Sequence, residues 1–251
     1  MEKRDEMPRG MITKILKETA PHVESVLPFL YQEPMMEHRL LDILKEVKDI
    51  NNRCKTAIYT NADLLTREKS EQLIKSQLLD AIYISFYGPT KELHDKYQHG
   101  LDWQKVQQNI YDLMAARAGY RIPRVTMWYI EIPELMAELD KMDKWKDIVD
   151  EFGIVGYETF SGVVPDLVDY QPKERQPCGR LYQSINILSD GTMVPCCLDF
   201  SGSVNLGNAF EENVIKLWTG DKMNALRELH RNKDWSALPD LCKNCTVHNR
   251  V

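Results

Sequence analysis

Up to about residue 160, short apolar runs alternate with segments whose apolar residues recur at helical spacing. One such segment carries Leu40, Leu44 and Val47, and the strand-like run TAIYTNA follows it. The runs AIYISFYG, RVTMWYIEI and FGIVGYETF come later, each after another helical segment. Spacings of three and four residues predict amphipathic helices, whereas short β-branched and aromatic runs predict strands. This alternation predicts an α/β fold with a parallel sheet covered by crossover helices.

Capping residues predict where several of these helices begin. Thr66 and Asp102 are residue types that accept hydrogen bonds from the first turn of a helix, and Pro133 suits the first helical position. A further helix is expected from about Met11 to Glu18. In the run RVTMWYIEI, Trp128 is expected to be a core residue.

After FGIVGYETF, the alternation of apolar runs and helical segments ends. The stretch PDLVDYQPKERQPC is charged and rich in proline, which is typical of a linker. The run SINILSDGTMVPC then predicts a β-hairpin with a tight turn at Asp190 and Gly191. We therefore expect a domain at 1–165 and a small domain at 166–251, whose short helices could not bury a face alone.

Four cysteines of the small domain predict a metal or cluster site. Cys178 and Cys196 lie at the two ends of the hairpin segment, and Cys242 and Cys245 form a C-x-x-C pair. Four thiolates suit either a structural zinc ion or an iron-sulfur cluster. The wide separation of the first two cysteines favours the larger group, a cluster. A disulfide framework is disfavoured, because a chain of 251 residues has ample core.

Two other cysteines receive different interpretations. Cys197 directly follows Cys196, and neighbouring residues of a strand point to opposite faces, so only one of the two readily serves the same site. We favour Cys196, although a bulge would exchange the roles. Cys54 is expected to be a small packed residue.

The charge of the chain limits its partners and location. The formal net charge is −6 and the pI is about 5.6, without a dense basic stripe, so nucleic acid is not an expected partner. No apolar run approaches the roughly 20 residues of a membrane span. The charged start MEKRDEMPRG has no hydrophobic signal segment, so a cytoplasmic location is expected.

The segments CGRLYQSINILSDGTMVPCC, LGNAF, LWTGDKMNALRELH and LCKNC resemble the C-terminal SPASM or twitch extension of radical S-adenosylmethionine (radical SAM) enzymes. The preceding order of elements is similar to a partial, TIM-like (β/α)6 barrel. The single complete set of four cysteines is most similar to the twitch dehydrogenases. This resemblance implies an auxiliary 4Fe-4S cluster held by Cys178, Cys196, Cys242 and Cys245.

The resemblance also implies a site for S-adenosylmethionine in the barrel. Gln32-Glu33-Pro34 stands where the family has Gly-Glu-Pro, at a strand end that meets the amino group of the cofactor. Asn61 follows the next strand, and Ser85 stands at the position that contacts the ribose. Glu33, Pro34, Asn61 and Ser85 are therefore the expected cofactor-binding residues, and no catalytic side chain is assigned.

The chain departs from the family in one respect. It contains no C-x-x-x-C-x-x-C loop, which in the family holds the cluster that cleaves S-adenosylmethionine. We expect the barrel to lack this loop and its first strand, and the exposed sheet edge to be covered by an N-terminal segment or a partner chain. Residues 1–251 alone are not expected to cleave S-adenosylmethionine.

The implied function is that of a radical SAM-type oxidoreductase that oxidises a small molecule or a peptide, with the auxiliary cluster as electron acceptor. Two alternatives come from different classes of protein. One is a non-catalytic or degenerate relative that acts as a cluster-binding or electron-transfer partner. The other is an interaction module stabilised by zinc.

Overall fold

A computed structural model describes residues 6–169 and 174–247. Val23–Tyr157 form one compact unit, and the described parts of 1–22 and 158–251 form a second. The strands are β1 (Ser25–Val26), β2 (Lys55–Thr60), β3 (Ala81–Ser85), β4 (Arg124–Glu131), β5 (Glu151–Gly156), β6 (Asn186–Ile187), β7 (Thr192–Val194) and β8 (Gly207–Asn208).

The helices are α1 (Arg9–Thr19), α2 (Leu40–Ile50), α3 (Arg67–Ser76), α4 (Lys91–Tyr97), α5 (Trp103–Arg117), α6 (Pro133–Met136), α7 (Asp143–Lys146), α8 (Arg180–Gln183), α9 (Val214–Thr219), α10 (Asp221–Arg231) and α11 (Asp240–Lys243). Three 3-10 turns cover Pro34–Met36, Leu139–Met142 and Trp235–Ala237. Within the described residues, no helix is both long and apolar enough to cross a membrane.

The unit Val23–Tyr157 is an α/β layer, as the alternating pattern predicts. Its five strands lie in the order β1-β2-β3-β4-β5, and each neighbouring pair is parallel. Helices α2 to α7 form the connections between them. The predicted fold class is confirmed, with one strand fewer than the complete six-stranded barrel.

The predicted capping residues begin their helices. The Thr66 hydroxyl accepts a hydrogen bond from the backbone N–H of Lys69 at the start of α3. The Asp102 carboxylate accepts from the N–H groups of Gln104 and Lys105 at 2.9 and 3.0 Å. Each side chain satisfies backbone donors that the helix leaves unpaired at its first turn.

The division of the chain differs from the predicted boundary at residue 165. The first helix, α1, lies with the C-terminal unit, because its polar side chains satisfy backbone groups there. The Lys14 ammonium donates to the carbonyl oxygens of Ala209 and Glu212, both at 2.8 Å. The Glu18 carboxylate accepts from the N–H of Val214 at 2.8 Å. Hydrophobic spacing alone carries no information about such distant backbone partners.

The C-terminal unit contains the predicted hairpin. Strands β6, β7 and β8 form an antiparallel sheet in that order, and Gly191 in the β6–β7 turn has a φ of +85°. Glycine adopts this left-handed conformation without a steric penalty. The core beside this sheet is formed by Leu181, Met193, Leu206, Leu217, Met223, Leu226 and Leu238.

One face of the parallel sheet carries a row of aromatic rings. The Tyr59 ring stacks on Tyr83 with centroids 4.4 Å apart, and Tyr83 lies 6.5 Å from Trp128. Trp128 is only partly buried, in contrast to its expected core position, whereas its neighbour Tyr129 is fully buried. The Trp128 ring occupies the space above Gly153 on β5, so a Cβ at that glycine would lie 2.7 Å from Cε3.

Replacing Gly153 by alanine is expected to lower the free energy of unfolding by about 1–3 kcal/mol, because the added methyl group forces the Trp128 ring to move. Chemical denaturation of the parent and the variant measures the loss. The matched control introduces Gly153→Ala into a Trp128→Phe background, where the smaller ring should reduce the cost. Equal losses in the two backgrounds would contradict this packing argument.

His94 on α4 is a buried titratable residue without a hydrogen-bond partner on either ring nitrogen. Its Nδ1 lies 3.6 Å from Oδ1 of Asp95, and its ring packs 5.9 Å from that of Phe86. Burial lowers the pKa of His94 below its ordinary value, and the charge of Lys91 adds to this effect. The carboxylates of Asp95 and Asp102 oppose it more weakly. The folded chain therefore keeps this imidazole neutral to a lower pH than the unfolded chain does.

Stability is accordingly expected to fall as the pH drops below about 6.5, since the unfolded state then binds a proton that the folded state excludes. A His94→Leu variant should be as stable as the parent at pH 7.5 and more stable at pH 5.5. Denaturant titrations of both chains at the two pH values isolate this group, because every other histidine is unchanged. Parallel pH profiles for the two chains would show that His94 does not contribute.

Candidate metal centre

The four predicted ligands, called the cysteine quartet below, come from three segments of the C-terminal unit. Cys178 precedes α8, Cys196 follows β7, and Cys242 and Cys245 lie in and directly after α11. Cys178 and Cys242 also pack against the apolar core of this unit. The core therefore fixes the segments that carry the thiols.

Hydrogen bonds also hold the segments that carry these cysteines. The N–H of Cys242 donates to the carbonyl of Pro239 at 2.9 Å, and that of Cys178 donates to Nδ1 of the buried His230 at 3.4 Å. Beyond Cys196, the buried Asp199 carboxylate accepts from the N–H groups of Ser203 and Val204, both at 2.8 Å. This carboxylate orders the loop that follows the hairpin.

The thiols are free and close enough to affect one another electrostatically. All four are partly buried and none forms a disulfide. Burial, reinforced by the sulfurs of Cys196, Cys178 and Cys245, raises the pKa of Cys242 to about 12. Burial likewise raises the pKa of Cys196 to about 12, with Cys197 and Cys245 adding to the effect. Burial thus disfavours the ionised form of Cys196, Cys242 and Cys245 in the protein alone.

This donor set fits an iron-sulfur cluster. Thiolates bind metal, and bound iron would neutralise the charges that burial and mutual repulsion disfavour. Within the described residues, no three His, Cys, Asp or Glu side chains are arranged to hold one metal ion. Zn–S bonds of about 2.3 Å in a tetrahedral shell place the four sulfurs about 3.8 Å from one another. A cluster contains several irons, so its cysteine sulfurs lie further apart.

The neighbouring cysteines differ in their surroundings. Cys196 is partly buried, and its charge acts on Cys242. Cys197 is exposed, and its sulfur lies 3.6 Å from Nη1 of Arg180. These observations favour the predicted choice of Cys196. The sixth cysteine, Cys54, is buried in the other unit, as expected for a packed residue.

Two arginines beside Cys178 were missed as candidates by the sequence reasoning. The Arg175 guanidinium donates to the carbonyls of Cys242 and Lys243, and it lies over the Trp235 ring at 5.4 Å. Arg180 interacts electrostatically with Cys196, Cys197 and Cys245. Their position within KERQPCGR, on either side of the predicted ligand Cys178, is a signal that the sequence does contain.

The predicted S-adenosylmethionine residues lie at the carboxyl ends of the parallel strands or in the adjoining loops. The Glu33 carboxylate accepts hydrogen bonds from the Thr60 hydroxyl at 2.7 Å and the Asn61 N–H at 2.9 Å. Glu33 and Asn61 are thus brought together, while Pro34 is buried at the start of a 3-10 turn. This carboxylate joins the loop before the turn to the end of β2.

Ser85 ends β3, the neighbour of β2 in the sheet. The register pairs Thr60 with Ile84, so Asn61 and Ser85 come next along adjacent strands. The Ser85 carbonyl accepts a hydrogen bond from the Gln98 side chain at 2.8 Å. Ala62, just after Asn61, has a φ of +63°, which is uncommon for a residue other than glycine. Ligands of parallel α/β folds usually bind at this edge.

Comparison with known proteins identifies the cysteine-rich segment. Residues 178–246 match the SPASM family, described as an iron-sulfur cluster-binding domain. This segment is a SPASM domain. The expected resemblance to radical SAM enzymes with such a domain is confirmed.

Two curated relatives are similar to parts of this chain. An uncharacterized protein of Treponema pallidum (strain Nichols) is 33% identical over 76 residues, which are 30% of this chain and 21% of that protein. The match therefore spans about a fifth of that relative. The S-adenosyl-L-methionine-dependent 2-deoxy-scyllo-inosamine dehydrogenase of Niallia circulans is 22% identical over 219 residues, 86% of this chain and 70% of that enzyme.

Solved structures show the same fold. BtrN in complex with AdoMet and 2-DOIA matches with a TM-score of 0.65 and 18% identity, covering 97% of this chain and 82% of BtrN. The enzyme anSMEcpe with bound AdoMet matches with a TM-score of 0.67 and 13% identity, covering 98% and 82%. The parallel sheet followed by a SPASM domain is therefore a fold shared with radical SAM enzymes.

Alanine variants of the adjacent cysteines distinguish their roles. Cys196→Ala is expected to retain much less iron and sulfide after anaerobic reconstitution than the parent, because it removes one of the four predicted ligands. Cys197→Ala is the matched control and should retain the parent content. Iron and acid-labile sulfide per chain measure both. The reverse pattern would exchange the two roles through a bulge after β7.

Proposed function

We propose that this chain is the cluster-carrying part of a radical SAM-type oxidoreductase. Cys178, Cys196, Cys242 and Cys245 would hold an auxiliary 4Fe-4S cluster that accepts an electron during substrate oxidation. The proposal depends mainly on one observation: four free, partly buried thiols from three segments interact within a SPASM domain. When bound, the cluster would supply a site for one-electron transfer.

The arrangement of the ligands supports electron transfer rather than substrate binding. Four cysteines complete the ligation of a cubane, which leaves no iron position open for a substrate. The protein side chains would keep this site rigid, since the Asp199 loop, Arg175 and the apolar core all fix ligand-bearing segments. A rigid site suits electron transfer because the ligands need little rearrangement when the charge changes.

The proposed place of S-adenosylmethionine is the carboxyl edge of the parallel sheet. Glu33 would hold the loop and strand β2 together, and Asn61 and Ser85 would contact the cofactor from adjacent strands. The Niallia circulans relative is an S-adenosyl-L-methionine-dependent enzyme and both solved structures contain AdoMet, which supports binding of this cofactor. The substrate class is either a small molecule, as in the BtrN complex with 2-DOIA, or a peptide, as in anSMEcpe with bound Cp18Cys peptide.

A second candidate function is that of a non-catalytic electron-transfer partner. Of the six cysteines in residues 1–251, five lie in the SPASM domain and the sixth is Cys54. These residues therefore contain no second set of three thiolates for a cluster that cleaves S-adenosylmethionine. Cleavage would need thiolates from a segment or a chain beyond residues 1–251.

Anaerobic reconstitution of chain 1–251 is expected to give about four irons and four acid-labile sulfides per chain, because a cubane contains that number of each. One-electron reduction with dithionite should produce the electron paramagnetic resonance signal of a reduced cluster. The Cys178→Ala/Cys242→Ala double variant should lose the iron, the sulfide and the signal. One zinc per chain without sulfide would contradict the proposal and favour the zinc-stabilised module.

The same preparation tests the second candidate. Chain 1–251 with S-adenosylmethionine and dithionite is expected to form no 5′-deoxyadenosine, measured by chromatography. Formation of 5′-deoxyadenosine by the purified chain would contradict the expectation that the cleaving thiolates lie outside these residues. Formation only after adding a chain that carries C-x-x-x-C-x-x-C would support the partner role.

A further inference from the structure

Arg180 places a guanidinium beside the cysteine quartet. Its Nη1 lies 3.6 Å from the Cys197 sulfur, and its charge acts on the thiols of Cys196 and Cys245. The side chain is about one-third exposed, with a relative exposure of 32%, so water screens the charge only in part. Arg180 is therefore a positive charge close to two of the four proposed ligands.

Glu158 supplies an opposite charge at the same site. Its Oε1 lies 3.6 Å from Nη2 of Arg180, and its charge acts on the Cys245 thiol. At this distance the pair is looser than a direct hydrogen bond, so neither charge fully cancels the other. The two residues form a charge pair, Arg180–Glu158, set against the sulfur quartet.

We propose that the Arg180–Glu158 pair sets the reduction potential of the auxiliary cluster, with Arg180 favouring the reduced form and Glu158 opposing it. This inference rests on the proposed function, because it requires that a cluster is bound. It concerns the tendency of that cluster to gain an electron, which neither the SPASM match nor the relatives assign to these residues.

The direction of each effect follows from charge. A cubane with four thiolate ligands is an anion, and reduction adds one more negative charge. A nearby cation stabilises the added charge and raises the potential, whereas a nearby carboxylate lowers it. An electron acceptor benefits from the cation, so Arg180 would adapt the cluster to receive an electron from the substrate as that substrate is oxidised.

Arg175 is a different kind of neighbour. Its guanidinium donates to the backbone carbonyls of Cys242 and Lys243 and stacks over Trp235, which fixes the C-x-x-C segment. Its replacement would therefore change both charge and ligand position. The Arg180 side chain makes no hydrogen bond to the backbone of the described residues, so its replacement is a cleaner change of charge.

The test is a redox titration of the reconstituted full chain 1–251, followed by the electron paramagnetic resonance signal of the reduced cluster. Arg180→Gln should decrease the equilibrium constant for reduction by about tenfold, a shift of about 59 mV to lower potential. Glu158→Gln should shift the potential in the opposite direction by a similar amount. The Arg180→Gln/Glu158→Gln double variant, with the parent net charge, should lie close to the parent.

Two controls separate charge from structure. Arg180→Lys keeps the positive charge and should keep the potential near that of the parent. Lys216→Gln removes a charge from an exposed residue of α9 and should have no effect. Iron and sulfide contents are measured for every variant. A merely structural role would reduce the cluster content but would not shift the potentials of Arg180→Gln and Glu158→Gln in opposite directions.

Potentials of Arg180→Gln and Glu158→Gln that do not change, or that change in the same direction, would overturn the inference. If Arg180→Gln loses its cluster, the reduction potential of Glu158→Gln alone tests the inference. An unchanged potential in that variant is then sufficient to reject it. A parent chain that binds neither iron nor sulfide would overturn the proposed function itself. Failure of the two proposals is therefore distinguishable.

Discussion

The burial of four free thiols beside one another is the constraint on which the rest of the C-terminal unit depends. Neighbouring sulfurs and burial both disfavour the thiolate form in the protein alone, as the raised pKa values of Cys196 and Cys242 show. A metal cluster reverses that preference, because iron binds thiolates and neutralises their charge. Folding of the small core and loading of the proposed cluster are therefore expected to stabilise each other.

Two kinds of side chain surround the four cysteines: some fix the positions of these cysteines, and others contribute charge near them. The Asp199 loop and Arg175 bind backbone groups close to the cysteines and thereby restrict their positions. Arg180 and Glu158 instead contribute opposite charges beside them. A cluster site of this kind can keep its geometry while its electrostatic environment is adjusted by single side chains.

In the other unit, single side chains likewise fix the carboxyl edge of the parallel sheet. One carboxylate, Glu33, joins a loop to the end of β2, and the Gln98 side chain binds the end of β3. Asn61 and Ser85 are thereby presented side by side on adjacent strands. On the sheet face, the row from Tyr59 to Trp128 is possible because Gly153 leaves room for an indole ring.

The sequence by itself determined the alternation of strands and helices, the capping residues Thr66 and Asp102, the hairpin and the cysteine spacing. These features arise from neighbours in the chain, where periodicity and local hydrogen bonding act. Only the tertiary structure decided that α1 lies with the SPASM domain and that Glu158 pairs with Arg180. Both depend on contacts between residues far apart in sequence, such as Lys14 with the carbonyl of Ala209, and such contacts leave no periodic pattern.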